Sequence, residues 1–225
     1  MNKPKTVWIF QTGEPLSIDG EGYKPLRVIN LINNIKKNYK NANIVVFSSL
    51  FNHQTKKKRK ERIFLLKGVK YILINSPGYK NNVSIYRFID HWILGINLGI
   101  YLIRNFKNKP DFAFIGNPPV EFAFVASRFL ILKKVPFILD VKDLWPEYFY
   151  ERFSKNLKFF LRIIFLPMEF MCKSSIKNAN LICSISPEFL HWVQGYGKRE
   201  KNKTDFVCYL TNPEIKLIDK KYKDD

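Results

Sequence analysis

Acidic residues are scarce in this 225-residue chain: 19 Asp and Glu stand against 38 Lys and Arg, a formal net charge of +19. Such a field favours polyanionic partners, whether nucleic acid, anionic lipid or a phosphorylated substrate, and its sign does not choose among them. The abundance of Lys, Asn and Ile is also what an AT-rich coding sequence produces without selection for binding. Cysteine is rare as well. Cys172, Cys183 and Cys208 form no C-x-x-C pair and are odd in number, which argues against a disulfide framework or a structural zinc site. Long apolar runs are missing. The longest uncharged stretch, 92–103, falls well short of the ~18–20 residues that span a bilayer, and 7–10 is too short for the core of a signal peptide. A cytoplasmic protein without a transmembrane helix is the expectation. Neither G-x-G-x-x-G nor a Walker spacing occurs, so a dinucleotide or ATP site of those kinds is not supported. No helix-turn-helix, zinc-finger or RRM signature accompanies the charge, which leaves non-specific phosphate contact alone; no specific nucleic-acid partner is expected.

What is present is an ordinary globular composition, 46% hydrophobic and 25% charged, able to bury a core. Apolar runs that do not alternate in polarity read as strands at 6–12, 43–48, 63–66, 69–74, 112–115, 136–141, 181–184 and 206–210. Between them, helical spacing predicts helices over 24–39, 83–106, 120–132, 156–177 and 187–196. In the second of these, Ile85, Phe88, Ile89, Trp92 and Ile96 share one face. Continuous apolar strands alternating with helices belong to a parallel sheet buried on both faces, so the predicted fold is a doubly wound, Rossmann-like α/β domain over 1–215, with a charged, frayed tail over 216–225.

Ligands of such sheets sit beyond the carboxyl ends of the strands. The loop after the first strand carries Gly13, Gly20 and Gly22 and leads into a helix, which suits phosphate oxygens or is a plain connection. A sharper signal is DVKDLWPE at 140–147, placed where a buried strand delivers its carboxyl end. Asp140, Asp143 and Glu147 are the candidate catalytic groups there; the alternative is a polar loop in which Asp143 caps the next helix. As loop carboxylates, Asp140 and Asp143 are expected to tolerate Ala with folding nearly intact. Their spacing, with Lys142 between, is not the D-x-D that chelates a metal around a diphosphate, so neither a metal nor another cofactor is expected. His53 in a basic loop and His191 beside Trp192 read as surface or satisfied residues, whereas His91, next to Asp90, is open to packing or to function.

Taken together, KTVWIFQTGEPLSIDG (5–20), SPGYK (76–80), Asp90-His91, FIGNPP (114–119) and DVKDLWPE (140–147) resemble the N-terminal half of bacterial glycosyltransferase family 4 proteins, which include enzymes of capsule and O-antigen assembly. The resemblance runs over nearly all of 5–213. It implies one half of a GT-B architecture, retention of configuration and no bound metal. The acceptor, a lipid-linked (polyprenyl-diphosphate) glycan, would meet Gly13, Gly20, Gly22, Asn117 and His91, with Asp140, Asp143 and Glu147 at the reacting end. The nucleotide-sugar donor belongs to a C-terminal domain carrying E-x7-E, and after 206–210 this sequence has only Glu214 and a short charged tail, so that domain is expected to be absent or on another chain. A truncated relic or a non-catalytic membrane-surface scaffold is the alternative.

Two segments bear on membranes. KKKRKER at 56–62 has six basic residues in seven, with Lys56, Lys57, Lys58 and Arg59 as candidate contacts to an anionic inner leaflet; equally it suits a solvated loop. The helix at 156–171 combines Arg162 with Phe159, Phe160 and Phe165, more apolar surface than one core stripe needs, and fits either the lipid interface or an oversized core face. On this reading the protein is peripheral on the inner face of the plasma membrane.

Overall fold

The computed structural model describes residues 5–19, 26–147, 154–200 and 202–209. Among the described residues ten strands occur in the order β1 (Thr6–Phe10), β2 (Asn43–Ser49), β3 (Phe51–Asn52), β4 (Lys57–Lys58), β5 (Ile63–Leu66), β6 (Val69–Ile74), β7 (Phe112–Asn117), β8 (Phe137–Val141), β9 (Leu181–Ser184) and β10 (Phe206–Val207). The described helices are α1 (Arg27–Asn38), α2 (Ile85–Arg104), α3 (Val120–Leu132), α4 (Lys155–Asn178) and α5 (Pro187–Tyr196). Eight strands form one sheet in the order β10-β9-β8-β7-β1-β2-β6-β5, parallel except for β5, which runs against β6; β3 and β4 make a separate small hairpin. This is a Rossmann-like, doubly wound α/β fold.

Alternation along the strands splits the interior in two. Trp8 and Phe10 of β1 point to a core shared with α2, α3, α4 and α5, and Ile9 between them points to a second core under α1. Phe10 stacks on Phe47 at 4.6 Å, both essentially without exposure. Ser84 and Ser186 cap α2 and α5 by accepting from the amides of Arg87 and Phe189, which sets where each helix starts.

Of the five residues that share one face of α2 by spacing, only Phe88 packs against the core; the other four lie on its outer side. Its buried positions are Asp90, His91, Leu94, Gly95, Leu98 and Leu102, while Ile85, Ile89, Trp92 and Ile96 are 70%, 44%, 40% and 57% exposed. The helix is apolar nearly all round, so periodicity left two faces to choose from. Close packing on α3 decides it: a Cβ on Gly95 would lie 3.1 Å from the Glu121 Cβ. A side chain at 95 would press on the Cβ and backbone of Glu121, so Gly95 favours the close approach there.

Asp140, expected as a solvent-facing carboxylate at the strand's end, is instead fully enclosed. It lies inside β8, opposite Gly116 of β7 and Cys183 of β9, with no exposed surface. Its carboxylate is ion-paired with Arg27 at the start of α1, and Arg27 donates in turn to the Cys208 carbonyl. The strand runs past the charge because Arg27 neutralises it, so the expectation of a dispensable loop carboxylate does not hold for Asp140.

Candidate functional site

A cleft of ≈ 220 Å³ opens at the carboxyl ends of β1, β2, β6, β7 and β8, the edge where this sheet type presents ligands. Gly13, following β1, turns the chain through φ +79°, and nothing lies within 4 Å of where its Cβ would be. Beneath the cleft, Gln11 donates to the Thr12 carbonyl at 2.8 Å and rests against Gly116, where a Cβ would sit 1.6 Å from the Gln11 Oε1. Backbone at 116 is therefore part of the cleft floor's support and admits no side chain without movement of Gln11.

The walls bring together cations, neutral imidazoles and carboxylates. On α2, Arg87, Asp90 and His91 face the cleft; the hairpin contributes His53, the turn after β6 Tyr79, and the end of β8 Lys142 and Asp143. His53 Nδ1 lies 2.6 Å from the Tyr79 hydroxyl, and the cations Lys56 and Arg87 sit 4.6 and 5.8 Å from the Tyr79 ring centre. Arg87 also stacks 5.3 Å over Trp145, and its Nε has no hydrogen-bond partner among the described residues. Asp90 is committed to structure: it accepts from the Gly78 amide at 2.6 Å and holds the turn that carries Tyr79.

Burial, reinforced by Lys56 and Arg87, drops His53 to about 4. Burial, with Arg87 and His53 adding to it, drops His91 to about 3. Both imidazoles are thus neutral at physiological pH, poor proton acceptors, and able to take part in hydrogen bonds as neutral rings. Burial pushes the Asp143 carboxyl up, against the Leu144 amide and the Arg87 and Lys142 charges, which makes it a stronger base than a solvated aspartate. Lys142 is partly spent on Glu14, whose Oε1 accepts from Lys142 Nζ at 2.6 Å while Oε2 accepts from the Val28 amide at 3.0 Å, tying the β1 loop to the start of α1.

Of the residues singled out by sequence, the cleft gathers Gly13, His91 and Asp143. Gly20 and Gly22 lie outside the described residues. Asn117 is buried at the end of β7, where Nδ2 donates to Cys172 Sγ at 3.6 Å, and it supports the cleft only through Pro118 and Pro119. Glu147 turns away to α5 and accepts from the Trp192 indole at 3.0 Å. Lys57 and Lys58 are exposed on β4, and Lys56 leans over Tyr79. Arg59 is not a free contact: it pairs with both carboxylate oxygens of Asp19 at 2.6 and 2.7 Å and donates to the Ser49 carbonyl, because its loop folds back as a hairpin. Phe159, Phe160 and Arg162 are exposed, but Phe165 is 6% exposed and packs on Phe88 at 5.3 Å, a core residue rather than a lipid contact. Arg87, Tyr79, His53 and Lys142 were not singled out as ligand contacts from sequence. Tyr79 and Lys142 stood inside quoted segments, while Arg87 and His53 reach the cleft only through tertiary folding.

Among the described residues, no group of three or more His, Cys, Asp or Glu side chains is placed to hold a metal ion, and no helix is long and apolar enough to cross a membrane.

No protein-family model matches this chain, and no curated protein matches it. Among solved structures it is similar to one described as the crystal structure of a UGT transferase from Siraitia grosvenorii in complex with UDP, at 7% identity and a TM-score of 0.47. The similarity covers 91% of this chain and 50% of that one, so this chain spans about half the length of that protein.

Proposed function

We propose that this chain is the acceptor-side domain of a glycosyltransferase, and that its cleft holds the diphosphate and first sugar of a lipid-linked glycan. The observation that carries the reading is the meeting of Arg87, neutral His53 and His91, and Asp143 in one cleft at the carboxyl edge of the parallel sheet. The segments that resemble glycosyltransferase family 4 deliver Gly13, Tyr79, His91 and Asp143 to that cleft, which supports the same reading.

In this account Arg87, kept rigid between Tyr79 and Trp145, takes a phosphate oxygen, since a charge-assisted contact to phosphate is among the stronger hydrogen bonds. The imidazoles orient sugar hydroxyls. Asp143 accepts the proton of the attacking hydroxyl as the new bond to the anomeric carbon forms and the nucleoside diphosphate leaves with the bonding electrons. The nucleotide sugar is presented from outside the described residues.

The test is equilibrium binding of a short-chain prenyl-diphosphate-linked hexose in detergent. Saturable binding is expected, weakened about tenfold or more by Arg87→Gln, the loss of one charge-assisted contact. Asp143→Asn should leave binding within about threefold. Absence of saturable binding, or binding indifferent to Arg87→Gln, overturns the reading.

A further inference from the structure

The three helices α2, α3 and α4 lie side by side on one face of the sheet, with α3 touching both neighbours. Their outer surface is apolar to an unusual degree. On α2, the exposed positions are Ile85, Tyr86, Ile89, Trp92, Ile96, Ile100 and Ile103, ending at a single charge, Arg104. These follow one stripe along a helix of 20 residues, about 30 Å at 1.5 Å per residue. Ile131 and Leu132 continue the surface on α3, and Phe160, Ile163, Ile164 and Phe170 on α4, all of them exposed. Exposed apolar side chains gathered along three neighbouring helices are a mark of an interaction or membrane-contact surface rather than of a plain solvated face.

Its charges share one sign. Every carboxylate on these helices is buried: Asp90, Glu121 and Glu169 are 3%, 2% and 4% exposed. The exposed charges on the same helices are Arg104, Arg128, Arg162 and Lys177, all cationic. A second copy of this chain seated on the face would set cations against cations, and a neutral apolar partner would leave them without counterions. An anionic lipid surface satisfies both features, because the apolar stripe enters the headgroup–acyl boundary while the cations meet phosphates.

We infer that the α2–α3–α4 face docks on an anionic bilayer with its helices lying in the interfacial plane. The first turns of α2 then bring Arg87 and His91, and with them the cleft, to the level of the lipid headgroups. The inference differs from the expectation drawn from 56–62 and 156–171: the α2 stripe supplies the largest share, Phe165 supplies none, and Arg59 is tied to Asp19. It stands on exposure and charge and does not depend on the glycosyltransferase reading.

The experiment is flotation with vesicles of phosphatidylcholine, with or without about one-third phosphatidylglycerol, at about 0.1 M salt. Binding to the mixed vesicles is expected, with little to the neutral ones. Ile89→Ser/Ile96→Ser/Ile100→Ser, at exposed positions, should weaken it at least about tenfold with an unchanged circular dichroism spectrum. Arg104→Gln and Arg162→Gln should each weaken it about fivefold at low salt. Trp92 provides an independent signal. It is 40% exposed, whereas Trp8 and Trp145 are 6% and 9% exposed and the partly buried Trp192 lies on α5, outside the proposed face, so lipids brominated near the headgroup should quench mainly Trp92, and Trp92→Phe should abolish most of the quenching. Failure of the parent chain to float, unchanged flotation of the triple Ser variant, or a sedimenting dimer that ignores vesicles each overturns the inference. Vesicle binding without acceptor binding in the cleft would refute the acceptor reading and leave this one standing.

Discussion

Replacing Glu121 with Gln should remove a pH dependence built into the α2–α3 contact. Glu121 stands in the first turn of α3 beneath Gly95, 2% exposed, and neither carboxylate oxygen has a hydrogen-bond partner among the described residues. Burial pushes its carboxyl from 4.5 up to about 7. The unfolded chain therefore gives up this proton near pH 4.5 while the folded chain keeps it to about pH 7. Stability contributed by the neutral form is intact below the lower value and is lost as pH rises through the higher one. At 1.36 kcal/mol per unit, the loss is about 3 kcal/mol, of which about 2–3 kcal/mol falls between pH 5 and pH 8. His53 and His91, both depressed, have the opposite sign and lose stability as pH falls below 6.5, so the parent curve alone mixes the effects. The difference between parent and Glu121→Gln in urea unfolding isolates the carboxyl: the Gln variant should gain steadily on the parent as pH rises. A flat difference, or a parent that gains on the variant, would show that Glu121 is ionised in the fold and refute the argument.

Two further outcomes separate structural from functional residues. Asp140→Ala strands the Arg27 charge in the sheet and should cost about 3–5 kcal/mol in urea unfolding, whereas Asp143→Ala, half-exposed at the cleft, should cost less than about 1 kcal/mol; equal costs would contradict the placement of Asp140. Phe165→Ala should cost about 3–5 kcal/mol, and Phe160→Ala, 63% exposed, should stay within about 0.5 kcal/mol; a reversal of that order would place α4 the other way round.

Strands β6, β8 and β9 were legible almost to the residue, because a doubly buried parallel strand must be a continuous apolar run and such runs are short and bounded; the antiparallel edge strand β5 was equally legible, closed off from β6 by Lys67 and Gly68, both at positive φ, and so were helices α3 and α5. Three things were not legible. The buried face of α2 was hidden by an apolar composition nearly all round, and Gly95 decides it only once α3 is beside it. Asp140 falls within the strand at 136–141, yet it read as a carboxylate delivered to solvent at the strand's end; what buries it is Arg27, which lies 113 residues away in sequence. The basic segment 56–62 read as one charged loop, yet Arg59 pairs with Asp19 while Lys56 reaches Tyr79, and no local pattern distinguishes the two. For the cleft, the segment after β8 pointed to the right edge of the sheet and supplied Asp143. Arg87 and His53 come from an α2 turn and a hairpin whose meeting is a product of the whole fold.

The most direct measurement of the acceptor account is a 15N histidine spectrum recorded while a prenyl-diphosphate-linked hexose is added. The chain has three histidines. His53 and His91 line the cleft and His191 lies on α5 outside it, an internal control. The account predicts that the His53 and His91 ring nitrogens, neutral at pH 7 before addition, shift in a saturable way with the same midpoint, while His191 stays put. Unmoved His53 and His91 signals at a saturating acceptor concentration, or shifts of His191 as large as theirs, would contradict it.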